Sequence, residues 1–120
     1  MHKSIIVGEL GRGGPYAHAT VAGDTVYISG QTGFNETNKD DFRSQFINAM
    51  GNIEKIARSA GLSLKDIAKI GVYISDKSYF QEMNDIFGEY FNESPPARTT
   101  LVAGFVADNI LVEIEATLHR

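Results

Sequence analysis

The sequence predicts one α+β domain over residues 1–120, in the order β-β-β-α-β-α-β-β, with two helices laid on one face of a mixed sheet. Three observations carry this. Short runs alternate apolar and polar residues with a period of two, as in Ala68, Ile70, Val72 and Ile74 against Lys69, Gly71, Tyr73 and Ser75. Two longer segments change to a helical period, and a strand pattern separates them. The length, 120 residues, is that of a single domain at about 100–200 residues each.

The elements follow in order. Lys3–Val7 reads as a short first strand, and Gly8–Gly14 as a loop with three glycines around Arg12. A second strand is expected from Ala17 to Ala22. Gly23-Asp24 is a turn dipeptide, so the next run, Thr25–Ser29, completes a hairpin that ends at Gly30-Gln31-Thr32-Gly33. From Asp41 to Ala60 the residues Phe42, Phe46, Ala49, Met50, Ile53, Ile56, Ala57 and Ala60 form one apolar stripe. Thr37 or Asn38 is the expected cap of that helix and Gly61 its natural stop. A strand over 68–75 comes next. Ser78-x-x-Gln81 resembles a capping box opening a second helix, with Phe80, Met83, Phe87, Tyr90 and Phe91 on its apolar side. Pro95-Pro96 ends it. Arg98–Val106 and Ile110–Leu118 read as the last two strands, joined through Ala107-Asp108-Asn109.

Composition narrows the chemistry. The chain has no cysteine, which excludes a disulfide scaffold, a thiolate metal site and a cysteine nucleophile. Eleven Lys and Arg against fifteen Asp and Glu leave a net charge of −4, a poor match for a phosphate backbone. No apolar run reaches the ~20 residues that span a membrane, and the N-terminus lacks a signal-peptide core, so a cytoplasmic protein is expected. No metal-ligand spacing, nucleophile elbow or phosphate loop occurs. Seven of the twelve glycines fall within the first 33 residues, which suggests turns and close backbone approach there.

The second face of the sheet is mixed. Leu111, Glu113, Glu115 and Thr117 share it in the last strand, with Tyr27 and Ser29, and Tyr73 and Lys69, in earlier ones. It reads either as a solvated face or as a surface where subunits meet. Glu113 and Glu115, two residues apart, would point into one cleft. Arg98 follows Pro95-Pro96-Ala97, whose stiff backbone suits a guanidinium held ready for a carboxylate; a plain surface arginine is the other reading. Ser29-Gly30-Gln31 ends a strand where amides become free and Gly30 admits close approach, or is simply a turn. His18, the one central histidine, reads as partly buried or as an interface residue.

Taken together the segments resemble the reactive intermediate deaminase family, the RidA or YjgF group, some of whose members carry the names endoribonuclease L-PSP and translation inhibitor. The resemblance runs almost end to end. It rests on Gly14-Pro15-Tyr16, on Val26-Tyr27-Ile28-Ser29-Gly30-Gln31, and on Gln45, Ala49 and Asn52. It continues through Ala60-Gly61-Leu62 with Asp66-Ile67 and Lys69, Val72-Tyr73-Ile74-Ser75-Asp76, and Asn84 with Tyr90-Phe91. Pro96-Ala97-Arg98-Thr99-Thr100 and Val112-Glu113-Ile114-Glu115-Ala116 complete it.

The resemblance implies a chorismate-mutase-like fold and a homotrimer. Three sheets would form a central barrel with the helices outside, and a ligand cleft would lie between neighbouring subunits. It implies hydrolysis of reactive enamine and imine acids such as 2-aminoacrylate and 2-aminocrotonate, released by pyridoxal-phosphate-dependent dehydratases, to 2-keto acids and ammonia. The small-molecule partner would be the imino acid or its 2-keto acid, and that chemistry would require no metal and no organic cofactor. By resemblance Arg98 is the substrate-carboxylate arginine and Glu113 the carboxylate that orients or activates water. Tyr16, Ser29 and Asn84 match pocket positions, and Gly30 a backbone contact. Thr100 stands where a cysteine is common, His18 where Gln or a small polar residue is frequent, and Glu9–Gly13 where Ala and Pro are usual; these departures bear on substrate preference. A carboxylate-binding module without catalysis, and a ribonuclease, are the alternative functions.

Overall fold

The computed structural model describes residues 1–120. Six strands and two helices follow in the expected order: β1 (Lys3–Ile5), β2 (Ala19–Ala22), β3 (Thr25–Thr32), α1 (Phe42–Ser59), β4 (Ile67–Ile74), α2 (Phe80–Tyr90), β5 (Ala97–Val102) and β6 (Val112–His119). The strands form one sheet ordered β1-β2-β3-β6-β4-β5. Only β4 and β5 run parallel; the helix α2 supplies the crossover that a parallel pair requires. The last strand inserts between β3 and β4 and is antiparallel to both.

Both helices lie on one face. The predicted stripe of α1 is buried along its length, against Val26 and Ile28 of β3, Ile70, Val72 and Ile74 of β4, and Val112, Ile114, Ala116 and Leu118 of β6. Gly33 at the end of β3 lets α1 come down onto the sheet, because a side chain there would strike the backbone of Gln45 and Ala49. Gly61 ends α1 with φ 76°, and the Gly61 and Leu62 amides donate to the Arg58 and Ala57 carbonyls.

Several local expectations are corrected. Asp41, not Thr37 or Asn38, caps α1, accepting from the Ser44 amide at 3.0 Å. Asn38 is instead buried and donates to the Gly33 carbonyl. No capping box forms at Ser78 and Gln81: a short turn of 3-10 helix over 77–79 intervenes, capped by Asp76, and Gln81 reaches Asp85. A capping box does form at Ser63 and Asp66. In α2 the expected Met83 and Phe87 are buried together with Ile86, which the expected stripe omits, whereas Phe80 is exposed. A register shift between Ile67 and Lys69 turns Ala68 outward. Residues 103–106 leave the sheet rather than prolonging β5, β2 begins at Ala19, and β6 begins at Val112.

The most consequential difference is at Ser29-Gly30. The strand β3 does not end there. Ile28 pairs with Ala116 and Gln31 with Ile114, so two residues of β3 oppose Glu115 alone. This is a β-bulge, and it carries β3 on to Thr32 beside Glu113.

Candidate functional site

The sheet face away from the helices carries the acidic pair. In β6, Val112, Ile114, Ala116 and Leu118 are buried while Glu113, Glu115 and Thr117 face outward. Each glutamate has a glycine beside it on a neighbouring strand. A Cβ on Gly30 would come 3.0 Å from Cδ of Glu113 and closer still to its Oε2, and one on Gly71 would lie 2.9 Å from Oε1 of Glu115. The two glycines are therefore the beds on which the carboxylates rest. Tyr73 donates its hydroxyl to Glu115. Burial, and then the charge of Glu115, push the Glu113 carboxyl above the ordinary glutamate range. The hydrogen bond to Glu115, with burial second, raises the Tyr73 phenol as well.

Two depressions open around this pair. A smaller one of about 310 Å³ lies between Gly30, Tyr73, Glu113, Glu115 and the chain at 103–105. A larger cleft of about 520 Å³ is walled by Tyr16, Gly30 and Glu113 together with Arg12, Phe34 and Ile110. The expected residues Tyr16, Gly30 and Glu113 thus meet on one chain. Ser29 lies at the bulge with its hydroxyl donated to the Ala17 carbonyl at 2.7 Å and its amide to the His18 carbonyl at 2.9 Å. Its amide is therefore not free, contrary to expectation; Ser29 ties down the segment that follows Tyr16.

Arg98, Thr100 and Asn84 lie elsewhere. Arg98 pairs with Ile70 and Thr100 with Val72, so both take the helix side of the edge strand β5. The Arg98 guanidinium stands 4.7 Å from the centroid of the Phe87 ring and 5.9 Å from that of Phe80. Thr100 reaches Sδ of Met83. Asn84 lies on α2 between Phe80 and Phe87, one turn from each, on the helix face that meets Arg98. Burial lowers the pKa of Arg98, yet the cation takes part in none of the four ion pairs of the chain. A half-buried guanidinium flanked by two aromatic rings and left without a counter-ion is a ready carboxylate receptor.

The candidate residues therefore form two half-sites on opposite faces of the sheet, with β4 between β5 and β6. One half offers a carboxylate beside a cleft and the other a cation.

Residues beyond the expected set also build the first half. His18 is 1% exposed, and both its ring nitrogens are engaged: Nδ1 accepts from the Val7 amide at 2.9 Å and Nε2 lies 3.0 Å from the Gly11 carbonyl. It is a structural tie for the loop over 7–16. Gln45, fully buried on α1, bonds the carbonyls of Asn38 and Asn109 and the amide of Leu111, anchoring the segment that leads into β6. Gly71 had a sequence signal, a glycine inside an alternating strand, which marks close approach.

Comparison with known proteins gives a consistent result. Residues 9–119 match the family model described as endoribonuclease L-PSP. A RutC family protein of Pyrococcus horikoshii is 37% identical over 111 residues, spanning 89% of this chain and 88% of the relative. A 2-iminobutanoate/2-iminopropanoate deaminase of Dermatophagoides farinae is 34% identical over 107 residues, 86% of this chain and 84% of the relative. Among solved structures, RidA from an Antarctic Psychrobacter is 33% identical, covers 98% of this chain and 99% of its own, and superposes with a TM-score of 0.88. TdcF of E. coli with bound serine is 28% identical with a TM-score of 0.86, over 98% of this chain and 99% of its own.

Proposed function

The chain belongs to the endoribonuclease L-PSP family, which includes the RutC and RidA proteins, and on that basis we propose that it hydrolyses small 2-imino acids to 2-keto acids and ammonia. The observation that carries the reading is the half-buried Arg98, which lacks a counter-ion, paired in sequence with a Glu113 whose carboxyl is held above its ordinary range. A relative named for that reaction supports it.

The chemistry asks little of the protein. The substrate is a small anion with an electrophilic C=N carbon. Arg98 grips the carboxylate with two parallel hydrogen bonds and fixes where the imine carbon sits. Glu113 takes a proton from a water molecule as the water oxygen bonds to that carbon, giving a carbinolamine. The same carboxyl returns the proton to the carbinolamine nitrogen. As the C–N bond breaks and ammonia leaves, the hydroxyl gives its proton to the Glu113 carboxylate and the C=O forms. That proton, the one the protonated imine brought in, passes on to ammonia. A carboxyl held above the ordinary glutamate range by burial and by Glu115 accepts and returns a proton more readily than an ordinary glutamate, which suits both halves of that exchange. Gly30 leaves room for Glu113, and Tyr16 and the Ser29-tied segment wall the pocket. Asn84 and Thr100 flank Arg98.

Arg98 and Glu113 sit on opposite faces of one sheet, so a complete site takes Glu113 from one copy and Arg98 from another. We propose a homotrimer in which the mixed faces meet and each cleft is shared. Tyr27 and Leu101, 51% and 54% exposed on those faces, are apolar surface such an assembly would cover. The ribonuclease name of the family finds less support, since the one inner histidine spends both ring nitrogens on the backbone.

The test generates 2-aminocrotonate in place with a threonine dehydratase and follows 2-oxobutanoate release. Acceleration by the protein and its loss in Arg98→Ala are expected. Equal release with and without the protein would overturn the reading.

A further inference from the structure

Arg12 stands in the same cleft as Glu113, and the structure has prepared it for a ligand. It is the one cation on the walls of the 520 Å³ cleft, and Glu113 is the one acid. It takes part in none of the chain's four ion pairs. Its loop is tied at each neighbour. The Gly11 carbonyl is held by His18, the Gly13 amide donates to the Tyr16 hydroxyl at 3.0 Å, and the Leu10 amide donates to the Val7 carbonyl at 3.0 Å. The exposed guanidinium itself donates from Nη1 to the Tyr16 carbonyl at 3.0 Å, which leaves its other N–H donors free. Leu10, Phe34, Val106 and Ile110 supply apolar wall to the same cleft.

A single carboxylate needs one arginine, and Arg98 already answers it. We propose that Arg12 is a specificity residue that binds a second carboxylate, so the preferred substrates are imines of dicarboxylic amino acids and the products dicarboxylic 2-keto acids. The proposal rests on the reading that Arg98 takes the carboxylate next to the imine. The methylenes of the substrate lie along the apolar wall, and the distal carboxylate meets the fork of Arg12 in a geometry that a lysine, a point charge, reproduces only in part. The class of reaction that supplies such a substrate is one that oxidises or eliminates at Cα of an acidic amino acid and releases the imine.

Stable keto acids serve as probes: 2-oxoglutarate for the dicarboxylate, 2-oxobutanoate for the monocarboxylate. Titration calorimetry on the assembled protein is expected to give about tenfold tighter binding of 2-oxoglutarate, the size of one charge-assisted contact on a partly exposed rim. Arg12→Ala removes that preference, weakening 2-oxoglutarate binding about tenfold more than 2-oxobutanoate binding; Arg12→Lys restores part of it. Arg98→Ala weakens both ligands alike. Equal binding of the two keto acids by the parent protein, or an Arg12→Ala variant that keeps the ratio, overturns the role of Arg12. Full binding of both ligands by Arg98→Ala overturns the carboxylate clamp instead, and an absence of binding by either keto acid overturns both.

Discussion

The Glu113 carboxylate lies where a side chain of Gly30 would be: a Cβ there would come 3.0 Å from Cδ of Glu113 and nearer to its Oε2. The bulge at Ser29-Gly30 creates this relationship, because it shifts β3 by one residue against β6 and brings backbone, rather than a side chain, beside the glutamate. Gly30→Ala should therefore push Glu113 out of its bed. Loss of about a hundredfold in keto-acid release is expected, the usual consequence of a displacement near 1 Å at a reacting group. Gly8→Ala, where a Cβ meets nothing within 4 Å, should leave release unchanged. Steady-state rates of the two variants, with circular dichroism to check folding, make the comparison.

The Glu113 carboxyl gives a pH signature. Burial and then the negative charge of Glu115 raise it above the ordinary glutamate value, about 4.3. A group raised in the folded state contributes stability that is fully present below its unfolded value and lost as pH climbs through its folded value. At neutral pH the ionised Glu113 is thus a cost to folding. Glu113→Gln should melt no lower than the parent at pH 7 while losing activity, and its advantage should disappear on acidification towards pH 4. The acid limb of kcat/KM should lie above the ordinary glutamate range and move to lower pH in Glu115→Gln, which removes the repelling charge. An acid limb that stays where it is in Glu115→Gln would dissociate Glu115 from the titration of Glu113.

Gln45 shows how polar groups hold the site from behind. It is fully buried and bonds three backbone groups, at Asn38, Asn109 and Leu111. Gln45→Ala strands them without partners and should cost about 2–4 kcal/mol. Because Ile110 sits between two of those anchors and lines the cleft, keto-acid binding should weaken too. Gln45→Glu keeps the acceptor for Leu111 but sets a carboxylate against two carbonyls, and should be worse than alanine. Melting temperatures at one fixed protein concentration rank the variants.

Alternation made much of this legible. Val112, Ile114, Ala116 and Leu118 announced a buried face and so turned Glu113 and Glu115 to the other one, and the stripe from Phe42 to Ala60 foretold what α1 buries. What alternation carries is parity, not partners. It assigns Arg98 to one face of β5 and Glu113 to one face of β6, but only the pairing order, with β6 between β3 and β4, sets the two on opposite sides of one sheet. The bulge was hidden because Ser29-Gly30 reads equally well as a strand end. The burial of His18 was in part legible, but the backbone ties of Asn38, Gln45 and His18 were hidden, because no side-chain pattern reveals a backbone partner.

The separation of Arg98 from Glu113 leads to a last prediction about assembly. If each cleft takes Glu113 from one copy and Arg98 from the next, Arg98→Ala and Glu113→Gln chains are each inactive alone but complement when mixed. Co-refolded in equal amounts, a cleft is intact only when its Glu113 donor and its Arg98 donor are both unaltered at that residue, which gives about a quarter of parent activity for random assembly into closed rings. The double variant mixed equally with parent chains provides the internal control. Shared clefts fall to about a quarter of the parent value, whereas clefts within one chain would fall only by dilution to about a half. Recovery should also depend on exchange, so mixing folded proteins without refolding should restore activity slowly or not at all. No recovery after co-refolding, with the control at one half, would mean that a single chain brings both residues to the substrate. The β5 edge would then have to move across the sheet, since Arg98 now faces Phe87 on the helix side.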